Sequence, residues 1–82
     1  MPLTDRDRAI LDFEGVWPRH VGAKEEAIRV ELGLTPARYY QLLGRLIDTA
    51  EALEHDPMLV KRLRRIRDER ARERWARASG DR

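Results

Sequence analysis

The feature that most constrains this chain is the run Leu32-Gly33-Leu34-Thr35-Pro36 near its centre. A glycine there tolerates the left-handed backbone that ends a helix. Threonine followed by proline then opens the next one, as a side-chain cap and a first position that needs no N–H. Two short helices are expected on either side, from about Ala23 to Leu32 and from Pro36 to about Asp48. So short a connection forces them to cross instead of continuing as one rod. A glycine turn followed by a capped second helix is the layout of a helix-turn-helix.

The rest of the chain also reads as helix. Its apolar residues recur at spacings of three and four, and strand-like alternation is absent. A first helix is expected from about Asp5 to Val16, with Thr4 as cap and Asp5 and Asp7 in the first turn, where the helix dipole favours negative charge. Ile10, Phe13 and Trp17 share its inner face, and Leu11 lies near the edge. Gly15 weakens its end, Pro18 stops it, and Trp17 to Gly22 is expected as a loop. In the helix after the turn, Tyr39, Leu42, Leu43, Leu46 and Ile47 are expected inside. Thr49 to His55 is expected as a connection with a loose turn around Ala52 and Leu53. Asp56-Pro57 repeats the cap-and-proline start and opens a last helix whose stripe is Leu59, Leu63 and Ile66, supported by Met58 and Val60. The expected architecture is an all-α, helix-turn-helix-containing bundle over residues 1–66, with the motif at 23–48. A basic helical extension over 67–82 should fray toward its end.

At 82 residues the chain suffices for one domain with a modest core. It holds no cysteine, which removes disulfides and thiolate metal sites. His20 and His55 stand alone in expected loops, so no metal or cofactor is expected. No Ser/His/Asp arrangement, phosphate-cradling glycine loop or HExxH run is present, so an enzyme is not expected. No apolar run approaches the roughly 20 residues of a membrane span, and the charged start lacks the apolar stretch of a signal peptide. A cytoplasmic, nucleoid-associated protein is expected.

The net charge of +2 conceals an asymmetry. Residues 1–56 carry 7 basic and 11 acidic side chains, a net −4, whereas residues 57–82 carry 10 and 4, a net +6. Of the 17 basic residues, 15 are arginine, whose planar guanidinium suits phosphate. With the apolar positions of the second motif helix turned inward, Thr35, Arg38, Tyr40, Gln41 and Arg45 are left on its outer side. Arginine pairs with guanine edges and glutamine with adenine edges in the major groove. Thr35 and the Tyr40 hydroxyl suit phosphate oxygens. On the last helix, Lys61, Arg62, Arg64 and Arg65 are placed to run along a phosphate backbone. Neutralising about five phosphates would give a log–log salt slope near −4.5. Trp75 is stranded in a charged stretch and is the candidate contact for a partner, a second copy or a stacked base.

The segments LTDRDRAILDFE, GAKEEAIRVELGLTPARYYQLL and DPMLVKRLRR together resemble a small actinobacterial family of helix-turn-helix-like proteins described as a domain of unknown function. The resemblance spans about Leu3 to Arg67 and implies a bacterial cytosolic protein linked to transcription or the nucleoid. The stretch from about Lys24 to Ile47 is also similar to the helix-turn-helix of sigma-factor promoter-recognition domains. One position departs from that pattern, since Arg29 stands four residues before the turn glycine, where such units carry a small residue.

The expected function is therefore double-stranded DNA binding in transcriptional regulation or nucleoid organisation. The helix at 36–48 would read the major groove. The rival expectation is a protein-interaction module docking on a component of the transcription machinery, through the acidic first half and the Trp75 end.

Overall fold

The computed structural model describes residues 2–17 and 22–80. Within them the chain is all-helical. Helix α1 spans Asp5–Val16, and α2 spans Gly22–Ala27 and continues as a wider π-helical turn over Ile28–Leu32. Helix α3 spans Pro36–Leu46, α4 spans Ala50–His55 and α5 spans Pro57–Gly80.

Each start follows from its local sequence. Thr4 and Asp7 form a reciprocal capping box on α1: the Asp7 N–H donates to Thr4 Oγ1 at 3.0 Å and the Thr4 N–H to Asp7 Oδ2 at 3.2 Å. Gly33 ends α2 at φ 66°, and its N–H donates to the Arg29 carbonyl at 3.1 Å. Thr35 Oγ1 accepts the Arg38 N–H at 3.1 Å, with Pro36 in the first turn of α3. Asp56 Oδ1 accepts the Leu59 N–H at 3.2 Å at the start of α5.

Between Thr49 and His55 the chain forms helix α4, Ala50–His55, with Thr49 as its cap, where a loose turn is expected from the sequence. Thr49 Oγ1 accepts the Ala52 N–H at 3.1 Å and sets Ala52 wholly inside. A Thr cap three residues before a buried Ala is a helix start whose signal was present but short. The expected loop Trp17–Gly22 falls mostly on residues 18–21, outside the described residues, and Gly22 already opens α2.

The core joins Ile10, Leu11 and Phe13 of α1, Ile28 of the π-turn, Tyr39, Leu42, Leu43 and Leu46 of α3, and then Ile47, Ala52, Leu59 and Val60. Leu11, expected at the edge, is fully buried. Met58, expected to support the last stripe, is 84 % exposed, because the inward face of α5 passes through Leu59, Val60 and Leu63. Beyond Ile66 every described side chain of α5 is exposed. A 24-residue helix is about 36 Å long, so half of it projects from the bundle. The dimensions, 47 × 29 × 18 Å, and the radius of gyration of 14.2 Å record that projection. A compact chain of this length would have a radius near 12 Å. No helix among the described residues is long and apolar enough to cross a membrane.

Candidate nucleic-acid interface

Helix α3 holds the residues singled out from the sequence, and its inward face fixes where they point. Tyr39, Leu42, Leu43 and Leu46 are buried, and Arg38, Gln41 and Arg45 are exposed. Positions 38, 41 and 45 are three and four apart, so they form one outward row. Within it Arg38 Nη1 donates to Gln41 Oε1 at 2.7 Å. The glutamine oxygen thereby holds the guanidinium on the exposed side of α3. Thr35 is exposed at the head of the row, its oxygen engaged as the α3 cap.

Tyr40 is not part of that row. It is half-buried, with its ring edge-on to Tyr39 at 5.0 Å between centroids and Lys24 Nζ 5.3 Å from its own centroid. An aromatic ring next to a buried cation and another ring gains more by packing than by standing in water.

Beneath α3 lies a buried polar cluster that is not among the sites expected from the sequence. Glu14 Oε1 accepts from Lys24 Nζ at 2.7 Å and from the Tyr39 hydroxyl at 2.6 Å. Glu14 and Lys24 are 4 % and 1 % exposed, and Tyr39 is fully buried. Burial, then the bond to Glu14, pushes the Tyr39 phenol well above its ordinary range. No buried side-chain nitrogen or oxygen among the described residues lacks a hydrogen-bond partner. The cluster ties α1, α2 and α3 together at the base of the outward row. Its signal was available in the spacing: Glu14 follows Ile10 by four and Lys24 precedes Ile28 by four, so each extends an inward stripe.

Of the basic residues expected on α5, Lys61, Arg62 and Arg65 are exposed. Arg64 is half-buried and partly committed to the fold. Its guanidinium is turned to the end of α3, where Nε donates to the Ile47 carbonyl and Nη2 to the Thr49 carbonyl at 3.4 Å. It satisfies carbonyls that a helix end leaves open. Residues advance by about 100° along a helix. Lys61 and Arg65 therefore lie on the side of α5 away from Leu63, and Arg67, Arg70 and Arg74 lie on the side that faces α3. Those three share an open groove with Tyr40 and Gly44. Arg67 is held by Asp48 at 2.6 Å and Asp68 at 3.2 Å. Trp75 is 76 % exposed on the projecting half of α5.

Arg29, at the position where a small residue is usual, is exposed and 3.8 Å from Glu26, so it does not stand between α2 and α3. His55 meets Asp12 at 2.9 Å and links α4 to α1, whereas His20 lies outside the described residues. No three of His, Asp and Glu converge as a metal site would require among the described residues.

No curated protein and no solved structure matches the chain. Residues 2–75 match the profile of a family described as protein of unknown function (DUF3263), and the chain belongs to that family.

Proposed function

We propose that the chain binds double-stranded DNA, as a bacterial transcriptional regulator or nucleoid-associated protein, with α2 and α3 acting as a helix-turn-helix. The observation that carries this reading is the outward row Arg38, Gln41 and Arg45 on a helix whose start is set by the Gly33 turn. In this reading the N-terminal half of α3 enters the major groove and Thr35 meets a phosphate beside it. Because Gln41 Oε1 holds Arg38 Nη1, the guanidinium is oriented and its remaining N–H groups are all donors. It therefore fits the N7 and O6 acceptors of guanine better than the donor–acceptor edge of adenine. Lys61, Arg62 and Arg65 supply sequence-independent contacts to the backbone. Three such contacts correspond to a log–log salt slope of about −2.7.

The test is selection from a random duplex pool at two salt concentrations. Enrichment of a guanine-containing site at both, with affinity falling steeply with salt, is the expected result. Binding that shows no enrichment would remove the reading role of α3 and leave only charge attraction. No binding at low salt would remove the proposal altogether.

A further inference from the structure

We infer that the groove between α3 and α5 docks an acidic amphipathic helix of another protein. The groove encloses about 330 Å³ and is floored by apolar side chains, with Leu43 and Ile47 on one side and Leu63 and Ile66 on the other. Gly44 leaves its α3 wall open, since a methyl group built there meets nothing within 4 Å. Arg70 and Arg74 stand on the opposite rim, one turn apart, and neither has an ion-pair partner among the described residues. Apolar floor and cationic rim together specify an occupant with an apolar stripe bordered by carboxylates at matching spacing. A helix laid into a groove between two helices is the ordinary way such a stripe is bound.

Two further observations favour that occupant. The wall carrying Arg70 and Arg74 is the half of α5 with no packing of its own, and a bound helix would give it a neighbour. A DNA backbone would use the guanidiniums but not the apolar floor. A second copy of α5 offers five arginines against three carboxylates over residues 67–78 and no apolar stripe there to lie on the floor.

The experiment uses the full chain and a synthetic helix of about 15 residues. This peptide carries leucines at i, i+3, i+4 and i+7 with glutamates bordering the stripe. A scrambled peptide of the same composition and an arbitrary duplex serve as competitors. Binding of the ordered peptide, about tenfold or more above the scramble, is expected. Gly44→Leu fills the groove and Arg70→Gln/Arg74→Gln removes the rim charge, and each should weaken the peptide about tenfold. Helical ellipticity should be retained, because one substitution points into open space and the other lies on the unpacked half. Equal affinity for both peptides, or indifference to Gly44→Leu, would overturn the inference. Loss of duplex binding in Arg70→Gln/Arg74→Gln, with no peptide binding by the parent chain, would assign the rim to DNA and equally overturn it.

Discussion

Lys24 and Glu14, ten residues apart in the chain, close an ion pair of 2.7 Å that is almost wholly shielded from water. Such a pair is weak support for stability when complete and a large penalty when broken, because the survivor is a buried unpaired charge. Lys24→Met should cost about 3 kcal/mol. Glu14→Gln/Lys24→Met should cost less than Lys24→Met alone, since glutamine still accepts from the Tyr39 hydroxyl and leaves no charge behind. Urea unfolding of both variants checks the order, and a double variant less stable than the single one would show that the charges are not coupled.

Tyr39 extends the same cluster into a pH effect. A phenol raised in the folded state binds its proton more tightly there than in the unfolded chain. Its contribution is complete below the usual tyrosine range near 10 and is lost as pH rises beyond it. In a Tyr40→Phe background Tyr39 is the remaining tyrosine. Its phenolate absorbance should then appear only together with loss of helical ellipticity. Ionisation near the ordinary value with the helices intact would show that the hydroxyl is not enclosed as described.

The sequence reached the fold further than it reached the polar interior. Thr4, Gly33, Thr35-Pro36 and Asp56-Pro57 are local signals, and the elements they bound stand where that chemistry put them. The buried face of α3 followed from its spacing. Lys24, Glu14 and Arg64 were less legible, because a charged residue at an inward spacing looks the same as one on a solvated face until its partner on another helix is known. Met58 stands outside the expected stripe for a related reason: the inward face of α5 begins at Leu59, and only the docking of α5 on α4 decides that. The outer row of α3 followed by subtraction once the core was fixed. The groove with Arg70 and Arg74 depends on how two helices lie against one another, which no local pattern encodes.

Two glycines should respond with opposite signs. Gly33 sits at φ 66° and Gly44 lies within α3, and an added methyl group meets no neighbour at either. Gly33→Ala therefore tests backbone conformation alone and should destabilise by about 1–2 kcal/mol. Gly44→Ala should stabilise by up to about 1 kcal/mol, the helix-propensity difference. Thermal and urea midpoints check both. A neutral Gly33→Ala would mean that the turn relaxes, and with it the fixed start of α3.

Arg64 and its neighbours should separate stability from binding. Arg64→Met removes the donors to the Ile47 and Thr49 carbonyls and should cost about 1–2 kcal/mol of folding stability. Duplex affinity of the folded variant should stay unchanged. Lys61→Gln/Arg65→Gln should leave stability within about 0.5 kcal/mol and weaken all duplexes alike, with the salt slope reduced by about 1.8. A duplex titration at several salt concentrations, beside urea unfolding, distinguishes the two sets. The reverse pattern would return Arg64 to the phosphate row.

Arg38 and Gln41 provide the sharpest test of reading, because each depends on the other. Arg38→Gln removes the guanidinium itself, whereas Gln41→Met leaves it in place and removes only the oxygen that holds it at 2.7 Å. If the guanidinium contacts a guanine edge, Arg38→Gln should lose about 1–3 kcal/mol of discrimination against the other bases. Gln41→Met should lose a smaller share, through the freedom returned to the arginine. Arg38→Gln/Gln41→Met should then be no worse than Arg38→Gln alone, since a support without its load has no further effect. Competition between the selected duplex and its guanine-substituted versions measures all three. Independent, additive losses would mean that Gln41 contacts the base itself, and equal losses on every duplex would deny the row any part in reading.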